Sequence, residues 1–223
     1  MTETLLRWGV TPVACTRFCE QPSIIHVGGT KDPDIAAITA LSPDLVLMDR
    51  EENRREDSEA LQAAGFEVLA THVTSITDVA AMTVTVRSRL GLAPFDAPHP
   101  ATTVVRPTTV TTAFVAIWRR PWMTCNAATY GSSMLDSIGV ANVFATRSES
   151  YPTVTLEEVA ALDPQLVVLP SEPYPFRTRH IAETRAAVPG ARVQLIDGQD
   201  LFWWGARTES ARARLAQVLL ASA

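Results

Sequence analysis

Aromatic and arginine side chains follow three predicted strands in the second half of the chain. The strands are residues 111–118, 166–169 and 193–196. The side chains that follow them are Arg119, Trp122, Tyr174, Phe176, Trp203, Trp204 and Arg207. Flat rings offer wide apolar faces with few rotors to freeze, and a guanidinium both pairs with anions and stacks on planar groups. This combination favours binding of a large planar or aryl ligand with an anionic edge.

Three more residues complete the candidate ligand-binding set. Phe18 follows a predicted strand that ends near Cys15, Arg50 follows the apolar run 45–48, and Tyr130 lies in the segment TYGSS. Each candidate has a structural alternative. The aromatic rings could instead fill the core, and the arginines could be solvated or ion-paired.

Signals for catalysis and for direct metal binding are absent from the sequence. There is no GxSxG nucleophile motif, no GxxxxGK[ST] phosphate loop and no GxGxxG motif. The four histidines show no HxxxH or HxH spacing, and we expect His180 at an exposed helix start. Glu51 and Glu172 occupy equivalent places in opposite halves instead of forming a pair. We therefore predict no catalytic residue, no metal ligand and no enzymatic activity. With a net charge of −5 and no basic tract, the chain also lacks the composition of a nucleic-acid-binding protein.

An internal repeat indicates how these residues are positioned. The segment ITALSPDLVLMDRE begins at residue 38, and VAALDPQLVVLPSE begins at residue 159, which is 121 residues later. In each copy a helix ends before a proline, and a short, wholly apolar strand follows, as is typical of parallel strands covered on both faces. Two weaker matches flank this one in the same order. The repeat predicts two doubly wound α/β lobes.

The two lobes differ at their starts. The second half has a strand at 111–118 before its first helix, and no equivalent strand precedes Thr2, so the first strand of the N-terminal lobe is expected to be missing. Such a lobe would expose a sheet edge, which invites pairing with another chain. We predict an N-terminal lobe at 1–76, a connecting helix and proline-rich linker at 77–110, and a C-terminal lobe at 111–223. Thr77 is the predicted capping residue of the connecting helix.

Motifs along nearly the whole chain resemble the substrate-binding proteins of cobalamin and iron-siderophore ABC importers, also called helical-backbone metal receptors. The motifs are TETLLRWGV, TRFCEQP, VGGTKDPDI, ALSPDLVLMDREENRRED, TYGSSMLDSIGVANVFA, YPTVTLEEVAALDPQLVVLPSEPYPF and DGQDLFWWGAR. The resemblance implies two α/β lobes joined by a helix, with the ligand in a cleft between the lobes. It implies no intrinsic cofactor. The ligand would be a metal chelate such as cobalamin, haem or a ferric siderophore.

The resemblance also implies docking on an ABC permease through one acidic residue in each lobe. In the second lobe this residue is Glu157, whereas the matching position of the first lobe is Ala36 and the nearest acid is Asp34. The alternative is a cytoplasmic protein of the same fold that binds or senses a cofactor, or has an unassigned enzymatic role, without transport.

The cellular location is predicted from the first residues of the chain and from its apolar runs. The first ten residues do not read as a signal peptide, and no apolar run reaches the roughly 18 residues of a transmembrane helix. As it stands the sequence predicts a cytoplasmic protein, or an extracytoplasmic one if its start is truncated.

Overall fold

The computed structural model describes residues 1–93 and 110–221, and it divides into two compact units. Unit 1 consists of Met1–Val73 and Met82–Phe95, and unit 2 consists of Thr74–Ala81 and Asp96–Ala223. Most of the proline-rich part of the predicted linker lies outside the described residues. No helix in the described ranges combines the length and the apolar composition that a membrane span requires.

Helices and strands alternate through both units. The helices are α1 (Thr2–Arg7), α2 (Ile35–Leu41), α3 (Arg55–Ala63), α4 (Ile76–Arg89), α5 (Tyr130–Ser137), α6 (Leu156–Ala161), α7 (Arg179–Ala187), α8 (Gly198–Phe202) and α9 (Thr208–Leu220). The strands are β1 (Ala14–Cys15), β2 (Ile25–His26), β3 (Val46–Asp49), β4 (Val68–Thr71), β5 (Thr111–Val115), β6 (Trp122–Met123), β7 (Val140–Asn142), β8 (Thr153–Val154), β9 (Leu166–Pro170) and β10 (Arg192–Ile196). A 3-10 turn covers Arg17–Cys19.

Unit 2 is built on a four-stranded parallel sheet in the order β10-β9-β5-β7. All five residues of β9 are buried, as the unbroken apolar run predicts for a strand covered on both faces. Phe114 of β5 and Leu169 of β9 are fully buried in a core cluster that also includes Phe144 and Phe176. A separate antiparallel pair, β6 and β8, lies in the same unit.

Unit 1 repeats this plan with fewer strands. Its described strands form two separate parallel pairs, β1 with β2 and β3 with β4. Its core is small and contains Val27, Ile38, Met48 and Leu61. The predicted α/β class with parallel sheets is confirmed. Among the described residues, no strand pairs with both β1 and β3.

Helix starts show the repeat at the level of single residues. Asp34 caps α2 by accepting a hydrogen bond from the Ala37 amide, and Thr155 caps α6 by accepting one from the Glu158 amide. Asp34 and Thr155 are separated by the same 121 residues as the two copies of the repeat. The carboxylate of Asp34 is therefore engaged in capping, as befits its place before the first turn.

Helix α4 contains 14 residues and begins before the position that the sequence suggested. Thr77 was expected to be the capping residue, and this is wrong. The Asp78 amide donates to Ser75 Oγ at 3.3 Å, and the Asp78 carboxylate accepts from the Ser75 amide at 2.8 Å. Ser75 and Asp78 thus form the reciprocal capping arrangement, and Thr77 lies inside the first turn.

Candidate ligand-binding site

The carboxyl ends of β5 and β9 bring four of the predicted residues together. Arg119 and Trp122 follow β5, while Tyr174 and Phe176 follow β9. Because β5 and β9 are parallel neighbours, the loops after them leave the sheet at the same edge. This edge is where open α/β sheets bind their ligands.

Five rings form what we call the aromatic cluster, namely Trp118, Trp122, Tyr174, Phe176 and His180. The rings of Trp122 and Phe176 are stacked, with centroids 5.7 Å apart and planes at 12°. Tyr174 lies 4.7 Å from Phe176 and 5.5 Å from Trp118, centroid to centroid. Phe176 is only 4% exposed, whereas Trp118 is 43% exposed. Phe176 therefore supports the aromatic cluster from the core side, and the more exposed rings are available to contact a ligand.

Arg119 is held at the border of the aromatic cluster by a carboxylate. Its Nε donates to Glu183 Oε2 at 3.0 Å and its Nη2 donates to Glu183 Oε1 at 2.9 Å, a bidentate geometry that fixes the guanidinium. The hydrogen bond to Glu183 raises the pKa of Arg119 further, with a smaller contribution from Tyr174. Any anionic group of a ligand would meet an arginine that is already oriented and partly neutralised.

His180 closes the aromatic cluster on its inner side. Its ring lies 5.6 Å from Tyr174 and 5.5 Å from Phe176, and its Nδ1 accepts a hydrogen bond from the Arg177 amide at 2.9 Å. Burial lowers the pKa of His180, and the positive charges of Arg179 and Arg119 lower it further. We expected His180 at an exposed helix start. This is wrong, because the residue is 4% exposed.

Trp203, Trp204 and Arg207 lie in the loop that follows α8, and all three are half-buried. The guanidinium of Arg207 stands 5.0 Å from the centroid of the Trp203 ring. Arg207 Nη1 also lies 3.6 Å from the buried carboxylate of Asp200, which accepts a 2.6 Å hydrogen bond from Arg214. Asp200 thus anchors the loop through two arginines.

Tyr130 is the first residue of α5 and is buried inside unit 2. Its hydroxyl lies 3.1 Å from the hydroxyl of Thr208. Burial raises the pKa of Tyr130 to about 12. The phenol stays neutral at physiological pH, and its ring acts as a support for the start of α9.

The two candidates in unit 1 are both exposed. Phe18 is 55% exposed, and the guanidinium of Arg17 lies 4.8 Å from its ring centroid. Arg50 directly follows β3, and its amide donates to the Thr71 carbonyl at 2.9 Å. Each is available for contact at the carboxyl end of a parallel strand.

The predicted docking positions are equivalent in the two units. Glu157 is the second residue of α6, Ala36 is the second residue of α2, and both are exposed. The neighbouring Glu158 has its pKa lowered by the Thr155 amide and by Arg147, so its carboxylate is committed to capping. Glu157 therefore presents the acidic group of α6 that does not serve the cap.

Sequence reasoning missed three members of this site. Trp118, His180 and Glu183 were not among the candidates, although Trp118 directly precedes Arg119 at the end of a strand. That position alone could have identified it. Within residues 1–93 and 110–221, no group of three or more histidine, cysteine, aspartate or glutamate side chains could hold a metal ion.

Comparison with known proteins defines the fold. No protein-family model matches the chain, and no curated protein matches it by sequence. Among solved structures, the periplasmic vitamin B12 binding protein BtuF of Vibrio cholerae superimposes with a TM-score of 0.78 and 19% identity, over 98% of this chain and 92% of its own.

Two further solved structures have the same fold. The periplasmic heme-binding protein BhuT, in complex with two hemes, gives a TM-score of 0.77 at 19% identity, over 94% of this chain and 88% of its own. The periplasmic heme-binding protein RhuT from Roseiflexus sp. RS-1 gives 0.76 at 18% identity, over 97% and 93%. The chain therefore has the fold found in these proteins, as the sequence motifs predicted.

Proposed function

We propose that this chain binds a metal chelate and delivers it to an ABC importer. The observation that carries the proposal is the aromatic cluster at the carboxyl ends of β5 and β9, in a chain that has the fold of periplasmic vitamin B12- and heme-binding proteins. The ligand class is a corrinoid, a haem or a ferric siderophore.

The chemistry of the described residues favours a metal that arrives inside its chelate. Side chains able to coordinate a bare ion are not grouped anywhere in the described ranges. Rings, by contrast, are grouped, and they suit the flat apolar surface of a macrocycle or an aryl chelator. The chain then needs no cofactor of its own, and it performs no catalysis.

Each candidate has a role in this proposal. In unit 2, Trp122 and Trp204 contact the apolar face of the chelate, with Tyr174 and Trp203 as further aromatic contacts, and Arg119 and Arg207 pair with its anionic groups. In unit 1, Phe18 and Arg50 are the candidates for the same two kinds of contact. Phe176 and Tyr130 are both buried, so they support the residues that contact the chelate.

Delivery requires docking on a permease. In this proposal Glu157 supplies the acidic contact of the second unit, whereas Ala36 leaves the first unit without a matching acid. The chain acts outside the cytoplasm in this proposal, because the binding proteins of the same fold are periplasmic by name.

A visible-absorbance titration tests the ligand class. The purified chain is titrated into cyanocobalamin, hemin and a ferric siderophore, with serum albumin as a control for nonspecific adsorption. Saturation at one equivalent of one chelate, with a spectral shift absent from albumin, is expected. If a folded chain saturates with none of the three, the proposed ligand class is contradicted.

A further inference from the structure

Two cysteines lie together in unit 1, where β1 ends. Cys15 is the last residue of β1, and Cys19 is the last residue of the 3-10 turn that follows it. The turn brings Cys19 close to Thr16, because the Cys19 amide donates to the Thr16 carbonyl at 3.0 Å. A hydrogen bond joins the thiols of Cys15 and Cys19. We call these two residues the dithiol pair.

Two hydroxyl groups converge on the sulfur of Cys19. Thr2 Oγ1 donates to Cys19 Sγ at 3.3 Å, and Thr16 Oγ1 lies 3.2 Å from the same sulfur. Hydroxyl donors stabilise a thiolate more than a thiol, because an ionised acceptor forms the stronger hydrogen bond. Partial burial raises the pKa of Cys19, but the hydrogen bonds from Thr16 and Thr2 outweigh it, so the pKa lies below its ordinary value. Cys19 is therefore prepared to react, since the thiolate is the nucleophilic form of cysteine.

The two members of the dithiol pair differ in their access to solvent. Cys15 is 7% exposed, whereas Cys19 is half-buried. Burial raises the pKa of Cys15 to about 11, together with the charge of Cys19 and the hydrogen bond between the two thiols. A reagent from solvent therefore meets Cys19 first. Cys15 becomes easier to deprotonate once the sulfur of Cys19 no longer carries a charge.

The surroundings of the dithiol pair favour redox chemistry over a structural metal. Structural zinc sites are almost always four-coordinate. In the described parts of the chain, no histidine, cysteine, aspartate or glutamate joins two others in a group that could hold a metal ion. The third cysteine, Cys125, is 0% exposed and lies in unit 2. The partly exposed Cys19 thus has another thiol, and no third metal ligand, beside it.

We propose that the dithiol pair undergoes thiol–disulfide exchange with a small-molecule disulfide. The Cys19 thiolate attacks one sulfur of the reagent, a mixed disulfide forms, and the other half of the reagent leaves as a thiolate. Cys15 then loses its proton to solvent and attacks the Cys19 sulfur, which closes the Cys15–Cys19 disulfide and releases the second half. The dithiol pair loses two electrons, and the reagent gains them as two thiolates. The proposal does not depend on the ligand of unit 2.

The chromogenic disulfide dithiobis(nitrobenzoate) tests this proposal on the folded, unmodified chain. We expect release of two equivalents of chromophore, no reagent left on the protein, and a chain mass lower by two hydrogen atoms. Trypsin cuts after Arg17, between the two cysteines, so the new disulfide appears as two joined peptides. A folded chain that retains the reagent on Cys15 or Cys19, or that releases no chromophore, would overturn the proposal.

Three serine variants, each shown to be folded by circular dichroism, separate the two steps. Cys15→Ser cannot resolve the mixed disulfide, so it should release one equivalent of chromophore and retain the reagent on Cys19. Cys19→Ser leaves only buried thiols and should react at least about tenfold more slowly than the unmodified chain. Cys125→Ser is the control and should behave like the unmodified chain. If Cys19→Ser reacts as fast as the unmodified chain, the proposal is wrong, and if a variant does not fold, the joined peptides of the unmodified chain decide.

Discussion

Burial separates supporting side chains from contact side chains in the aromatic cluster. Phe176 and His180 are almost fully buried, while Trp118 is 43% exposed and Trp122 is half-buried. A buried ring cannot lie against a ligand, but it fixes the orientation of the ring stacked on it. The specificity of the site therefore depends on the outer rings, and its rigidity depends on the inner ones.

His180 makes the stability of unit 2 dependent on pH. Its folded-state pKa lies below the ordinary value of 6.5, because burial and two arginines disfavour the protonated ring. The unfolded chain thus takes up the proton more readily, and the free energy of unfolding falls as the pH drops below about 6.5. Thermal unfolding between pH 7.5 and pH 5 measures this loss.

His180→Asn is the matched control for that measurement. Asparagine keeps an acceptor near the Arg177 amide and has no group that titrates in this range. The variant is expected to lose less stability than the unmodified chain over the same pH interval. Parallel curves for the two chains would show that His180 is not the responsible group.

The loop after β9, which carries Tyr174 and Phe176, is held in place by a close backbone contact with the start of α8. Gly198 opens α8, and its amide donates to Ser171 Oγ at 3.0 Å. A Cβ at Gly198 would lie 2.6 Å from the amide nitrogen and 2.7 Å from the carbonyl oxygen of Glu172. Backbone cannot rotate away as a side chain can, so only glycine fits this position.

Gly198→Ala is therefore expected to destabilise unit 2 by about 1–3 kcal/mol, the usual cost of overpacking. Gly190→Ala is the control, because its Cβ would meet only the Asp163 carboxylate at 3.3 Å. Urea unfolding of the two variants measures the difference. A Gly198→Ala chain as stable as Gly190→Ala would contradict the tight contact between the β9 loop and α8.

Strands were more predictable from the sequence than helix starts. The apolar runs 45–48 and 166–169 correspond to β3 and β9 within one residue, because an unbroken apolar run bounded by proline leaves few other structures. The cap of α4 was misassigned because Ser75 and Thr77 are both good capping residues. Only the position of the Asp78 side chain distinguishes them.

The location of the site could be predicted from the sequence, but the contacts between its side chains could not. Loops after parallel strands meet at one edge, so Arg119 and Tyr174 could be placed together from sequence alone. The partner of Arg119, however, is Glu183, which lies 64 residues further along the chain. No local pattern marks such a pair, because the packing of α7 against the sheet creates it.

At the scale of the whole molecule, the two units differ at the positions proposed for permease docking. Glu157 and Ala36 occupy the same place in α6 and α2, so a single acidic contact is available at these equivalent positions. Glu157→Ala is expected to reduce chelate uptake by cells that depend on this chain at least fivefold, with chelate affinity unchanged. Glu59→Ala, on the exposed face of α3, serves as the control. Normal uptake with Glu157→Ala would remove this residue from the docking contact.

The most direct test of the proposed function is a calorimetric titration of the saturating chelate against three chains. These are the unmodified chain, Trp122→Ala and Trp8→Ala, the last of which removes a tryptophan that packs under Arg87 in unit 1. Loss of one large aromatic contact is worth about 1.5–3 kcal/mol, or roughly tenfold to a hundredfold in affinity. We predict that loss for Trp122→Ala and affinity within about twofold for Trp8→Ala. Equal affinity of folded Trp122→Ala and the unmodified chain would contradict a chelate site at the aromatic cluster.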